Sequence, residues 1–92
     1  MLRLSFSNKM KRDTKRMEKR GEDMSKLKEV LGLLVSGQPL PPKYKDHPLR
    51  GPLNGFRECH IESDWLLVYR IVKDELLLLA TATGSHSDLF GS

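Results

Sequence analysis

The sequence predicts an α+β domain in which two N-terminal helices pack on a mainly antiparallel sheet of about four strands. Three observations carry that expectation. Leucines and valines recur at helical spacing between Met24 and Val35, and polar and apolar residues alternate from Phe56 to Ile61. Two apolar, strand-length runs then follow, separated only by Lys73-Asp74. In chain order the elements read β-α-α-β-β-β, within a single domain spanning residues 1–92, a length that fills one modest core.

Leu2, Leu4 and Phe6 alternate with Arg3 and Ser5 as a short first strand, and Ser7 or Asn8 then caps a helix that runs to about Arg20. Its apolar stripe is thin, with Met10, Thr14 and Met17 among many lysines and arginines, so Gly21 ends it and its basic face is expected to stay in water. The second helix starts near Asp23. Met24, Leu27, Leu31 and Leu34 stand at i, i+3, i+7 and i+10, Val30, Leu33 and Val35 widen the stripe, and Gly37 stands where a C-terminal glycine belongs. This is the better core helix.

From Gln38 to Gly55 the chain is rich in proline, with Pro41-Pro42 adjacent, and is expected to cross the domain as ordered, irregular backbone. The next strand places Phe56, Glu58 and His60 on one face and Arg57, Cys59 and Ile61 on the other. Glu62-Ser63-Asp64 turns the chain, and residues 65–72 form a central strand. Lys73-Asp74 reads as a two-residue break in a tight antiparallel hairpin with residues 76–83. The tail after Gly84 is polar up to Leu89 and Phe90, which are expected to tie a flexible segment to the body.

The chain has 16 Lys and Arg against 12 Asp and Glu, a net charge of +4, and the excess is uneven. Residues 1–30 hold ten basic against five acidic side chains, whereas residues 31–92 hold six against seven. A basic N-terminal half favours an acidic partner, either nucleic acid or an acidic protein. The one cysteine forbids an internal disulfide, the N-terminus lacks the apolar stretch of a signal peptide, and the longest apolar runs fall short of the roughly 20 residues that cross a bilayer. A cytoplasmic protein without a membrane span is expected. Cys59, beside Ile61 on the core face, reads as a small buried hydrophobe rather than a thiol nucleophile.

All three histidines lie in the C-terminal half, each with carboxylates nearby in sequence: Asp46 beside His47, Glu58 and Asp64 near His60, and Asp88 near His86. An unperturbed imidazole, with a pKa of about 6.5, is suited to proton transfer at neutral pH, and a carboxylate partner fixes its tautomer. Two kinds of site use such a set. Cleaving RNA by attack of the ribose 2′-OH on the adjacent phosphate needs a base, an acid and a cation near the phosphoryl oxygens; the histidines with Arg57 or Arg70 supply them without a metal. Alternatively, the three imidazoles and Asp64 hold a catalytic zinc. No HExxH or CxxC spacing accompanies them, and no phosphate-binding loop or serine-triad motif is present.

An ordered series of motifs now carries a resemblance. Met24-Ser25-Lys26-Leu27-Lys28, Lys45-Asp46-His47-Pro48-Leu49, Gly55-Phe56-Arg57-Glu58-Cys59-His60-Ile61, Asp64-Trp65-Leu66-Leu67-Val68-Tyr69, and Gly84-Ser85-His86 with Leu89-Phe90-Gly91 together resemble the YafQ family of bacterial toxins, within the RelE/ParE superfamily. The resemblance extends over nearly the whole chain. It implies a RelE/ParE-like fold and a type II toxin–antitoxin system, in which the toxin is a ribosome-dependent endoribonuclease cutting messenger RNA in the decoding site and a cognate antitoxin neutralises it.

Carried over position by position, the resemblance implies that His47, His60, Asp64 and His86 are catalytic and that Glu58 and Phe90 support activity; some members have Asp where Glu58 stands. It implies no metal and no other cofactor. Within that expectation His86 is the general acid, His47 the base, and His60 orients the phosphate or exchanges roles with His47. Asp64 then holds an imidazole in its tautomer, Phe90 stacks on a base, and the basic N-terminal half lies along ribosomal RNA. The isolated toxin is expected to be a monomer. The alternative within the superfamily is a ParE-like toxin that binds DNA gyrase without cutting RNA.

Overall fold

The computed structural model describes residues 1–91 and carries, in chain order, β1 (Arg3–Phe6), α1 (Asn8–Lys19), α2 (Met24–Val35), β2 (His47–Pro48), β3 (Arg57–Glu62), β4 (Trp65–Val72), β5 (Leu77–Gly84) and α3 (His86–Phe90). The five strands form one sheet in the order β1-β5-β4-β3-β2. β1 runs parallel to β5, and the other neighbours are antiparallel. The α+β class and the two packed N-terminal helices are as the sequence predicts.

Three elements differ from expectation. A fifth strand, the pair His47–Pro48, adds to the sheet edge beside β3, where a proline is tolerated because an edge residue has an unused N–H side. The β4–β5 turn is longer than two residues: Val72 pairs with Leu77 across a 3-10 turn at Lys73–Glu75, and Leu76 takes a left-handed φ of 49°. Leu76 thereby leaves the strand and offers its carbonyl to the Arg3 amide at 2.7 Å. Finally, the tail is the short helix α3, whose capping is described below.

The helices open on capping residues. Ser7 accepts the Met10 amide and Asp23 the Ser25 amide, each satisfying an otherwise orphaned N–H. Met10 and Met17 of α1 and Leu27, Val30, Leu31 and Leu34 of α2 meet Cys59, Ile61, Trp65, Leu67, Tyr69, Leu78 and Ala80 from β3, β4 and β5. At about 1.5–3 kcal/mol for a fully buried large apolar side chain, four such residues hold α2 more firmly than two methionines hold α1.

α1 compensates with a polar anchor that its composition did not announce. Asp13 is only 2% exposed, accepts the Thr83 amide at 3.1 Å, and pairs with Lys9 and Arg16 at 3.1 Å each. The polar side of this helix is therefore not wholly wet. Thr83 in turn accepts the Trp65 indole N–H at 2.9 Å and donates its hydroxyl to the Leu66 carbonyl at 2.6 Å. The end of β5, just before His86, is fixed from both sides.

Candidate active site

On β3, Cys59 and Ile61 enter the core, so the alternating Glu58 and His60 face the other side of the sheet. Cross-strand pairing then decides what meets them. Glu58 stands opposite His47 on β2 and Val68 on β4, while His60 stands opposite Leu66, which is itself opposite Gly84. Two residues beyond Gly84 the chain begins α3 with His86. Three elements thus deliver one imidazole each to neighbouring rows of the same face. The His47 and His60 ring centroids are 6.5 Å apart, and those of His60 and His86 5.6 Å.

Two of the imidazoles have their tautomers set by acceptors. His47 Nδ1 lies 2.8 Å from the Lys45 carbonyl, which can only accept, so Nδ1 carries the proton and Nε2 is left as the reactive nitrogen. His86 Nδ1 lies 2.7 Å from Asp64 Oδ1, and the same oxygen accepts the His86 backbone N–H at 2.9 Å. That backbone hydrogen bond, and then the ring, hold the Asp64 carboxyl below its ordinary range. An ionised acceptor at Nδ1 again leaves Nε2 exposed. Asp64 therefore serves His86, the histidine more distant in sequence, and not His60.

The other carboxylates are also redistributed. Glu58 is 6% exposed, and one of its oxygens lies 3.6 Å from Nε2 of both His47 and His60, a separation too long for a hydrogen bond. Asp46, adjacent to His47 in sequence, instead pairs with Arg57 at 2.9 Å and accepts the Tyr69 hydroxyl. Asp88 turns toward α1. Of the two candidate arginines, Arg57 is engaged with Asp46, away from the histidines, and Arg70 lies over the Phe56 ring, its guanidinium carbon 5.6 Å from the centroid. Neither joins the histidine cluster. Cys59 is fully buried, and burial pushes its thiol up to about 12, which makes it a core residue and not a nucleophile.

His86 is held by more than its own contacts. Ser85 and Asp88 form a reciprocal capping box, Ser85 Oγ accepting the Asp88 amide and Asp88 the Ser85 amide. Arg20 grips the same carboxylate with both terminal nitrogens, at 2.5 and 2.9 Å, and chiefly for that reason the Asp88 pKa lies far below the ordinary value. Gly84 permits the approach, since a Cβ there would lie 2.9 Å from that of Asp88. The expected flexible tail is thus a capped, clamped helix. The Ser85-x-x-Asp88 pattern was legible as a cap; the partnership with Arg20, 68 residues away, had no local signal. Phe90, at i+4 from His86, is 43% exposed and borders an apolar cavity of about 190 Å³ with Leu53, Val68 and Ala82.

Glu58, His60 and His86 also offer ligand atoms within 4.8 Å of one another. A carboxylate and two imidazoles are a donor set that suits a first-row divalent cation, so these residues fit a metal although the sequence carries no metal-binding spacing.

Comparison with known proteins supports this fold. Residues 2–91 match the family described as "Bacterial toxin of type II toxin-antitoxin system, YafQ". The chain is 43% identical over 89 residues to the Escherichia coli K12 protein named mRNA interferase toxin YafQ, with 96% of this chain and 95% of that protein covered. A crystal structure of a metal-bound toxin from Helicobacter pylori matches at a TM-score of 0.93 and 51% identity, over 98% of this chain and 100% of that one. A chain in the crystal structure of the E. coli DinJ-YafQ complex matches at a TM-score of 0.89 and 41% identity, over 99% of this chain and 100% of that one. The chain belongs to the YafQ family of bacterial toxins of type II toxin–antitoxin systems.

Proposed function

We propose that this toxin is an mRNA interferase, an endoribonuclease that cuts messenger RNA in the decoding site of the ribosome by acid–base catalysis. The observation that supports it best is the orientation of His47 and His86, each tied at Nδ1 and presenting Nε2 on either flank of His60. His47 Nε2 accepts the proton of the 2′-OH, and the 2′-oxygen attacks the adjacent phosphorus. His86, as imidazolium, gives its Nε2 proton to the departing 5′-oxygen. The products are a 2′,3′-cyclic phosphate and a 5′-hydroxyl. With Arg57 engaged by Asp46 and Arg70 over Phe56, the ring of His60, beside Glu58, is the group that faces the phosphoryl oxygens.

Glu58, His60 and His86 would hold any cation bound here, and it would supply charge stabilisation as a Lewis acid. In the proposed reaction the imidazoles act without one. A cognate antitoxin is the protein partner, and the toxin alone is a single-domain cytoplasmic monomer. Lys9, Arg16 and Arg20 are engaged by Asp13 and Asp88, whereas Lys11, Arg12, Lys15 and Lys19 are exposed and outside these pairs, which makes them the residues to meet ribosomal RNA. No described helix is long and apolar enough to cross a membrane. A ParE-like gyrase inhibitor gives the histidine cluster no role; inhibition of supercoiling by stoichiometric toxin, without RNA cleavage, would favour it instead.

The test combines purified toxin, ribosomes and a defined message. Wild type yields cuts at the decoding site, and His47→Ala together with His86→Ala abolishes them. Undiminished cutting by that double variant contradicts the reading.

A further inference from the structure

A cavity of about 410 Å³ opens at the edge of β3, from the side covered by α2 round to His60, between the Lys43–Lys45 turn, the end of β3 and the first half of α2. Its volume falls in the range of small-molecule sites, and His60 forms part of its wall. Tyr44 and Ile61, both nearly buried, give it an apolar surface. Lys26 at the rim is already paired with Glu62, and among the other charged wall residues Lys43, whose ammonium stands 5.0 Å from the Tyr44 ring centroid, and Lys45 outnumber Glu29 of α2. An occupant with a flat apolar body and an anionic edge suits these walls.

The cavity's place relative to the catalytic groups narrows the choice. His60 lines it and His86 does not, and the Lys45 backbone that borders it also supplies the carbonyl bonded to His47. It therefore lies on the His47 flank of the cluster. We propose that it is a nucleotide subsite for the residue 5′ to the cut, the one whose 2′-OH attacks. The base lies against Tyr44 and Ile61, the 3′-phosphate reaches His60, and Lys43 and Lys45 receive the upstream backbone. This inference rests on the ribonuclease reading above and on His47 as its base.

The probe is adenosine 3′-monophosphate, whose phosphate occupies the position of the scissile one, titrated into isotopically labelled toxin and followed by NMR. The expected result is a coupled response, with the His60 ring and the amides of Ile61 and Ser63 shifting together. Inorganic phosphate should shift the histidine rings alone, and adenosine 5′-monophosphate, which has the base and the upstream phosphate but none at the scissile position, should shift Ile61 and Ser63 while leaving the His60 ring nearly unmoved. Lys43→Ala with Lys45→Ala, both exposed positions, should weaken adenosine 3′,5′-bisphosphate, whose 5′-phosphate stands for the upstream backbone, by at least about tenfold, the scale of a lost charge-assisted contact, and change binding of the 3′-monophosphate little. Shifts confined to the histidines, equal responses to the two nucleotides, or no response at all would overturn the subsite. Ribosome-dependent cleavage by the same wild-type preparation separates the two readings. If it cuts while Ile61 and Ser63 stay silent, only the subsite fails; if it does not cut, the ribonuclease reading fails as well.

Discussion

His47 and His86 reach the same chemical condition by different routes, a backbone carbonyl for one and a carboxylate for the other. Single replacement of either is expected to slow cleavage by roughly 10²–10⁴-fold, the usual worth of a positioned acid or base. Their division of labour is separable. A message with a 5′-thio leaving group at the cut needs little protonation, so it should largely rescue His86→Ala and leave His47→Ala impaired. Equal rescue of both, or of neither, would refute this assignment while sparing the ribonuclease itself. The histidines, Glu58 and Asp64 were legible from the residues and the motifs they sit in, but their pairings were not. Sequence neighbours suggested Asp46 for His47 and Asp88 for His86, whereas the fold sends Asp46 to Arg57 and Asp88 to Arg20. Proximity along the chain is a poor guide where strands alternate faces and cross-strand partners decide contact.

At the level of elements, α3 is five residues long and owes its geometry to Ser85, Asp88 and the grip of Arg20. Arg20→Met should lower cleavage with only a small change in melting temperature, because the pair lies at the surface, with the Arg20 side chain 46% exposed. In the same variant the His86 ring should become more mobile by NMR, and Arg20→Lys should restore part of the activity. A variant that cuts at the wild-type rate would show that α3 needs no clamp. Because the folded Asp88 pKa is depressed, its stabilising contribution is complete above the ordinary carboxylate value of about 3.9 and is lost only as pH falls through the lower folded value. Loosening of α3 is thus expected below about pH 4 and not between pH 5 and 8. Asp13 acts on the body of the fold. Asp13→Ala orphans the buried Thr83 amide and should cost about 1–3 kcal/mol, read as a lower urea midpoint at unchanged slope. Helix α2 and the central strands were legible because their apolar periods are long and regular. β2 and α3 were not, since two and five residues carry too little pattern against prolines and polar tails.

For the whole molecule, the helices cover one face of the sheet, and the opposite face carries the histidine rows, with α3 at its border. That division follows from the single alternation on β3, in which Cys59 and Ile61 face the core and Glu58 and His60 the site, and it was readable before any coordinates. The charge asymmetry was readable too, although part of the basic excess on α1 is consumed internally by Asp13 and Asp88. What remains is an exposed basic helix and a sheet face at which the imidazoles of β2, β3 and α3 gather, an arrangement that fits the proposed reaction. The chemistry is tested by the ends it leaves on a ribosome-bound message, compared with the same message carrying a single 2′-deoxy nucleotide 5′ to the cut. Attack by the 2′-OH requires a 2′,3′-cyclic phosphate, or the 3′-phosphate derived from it, on the upstream fragment, a 5′-hydroxyl on the downstream one, and no cut in the deoxy message. A 5′-phosphate with a 3′-hydroxyl, or undiminished cleavage of the deoxy message, would contradict it.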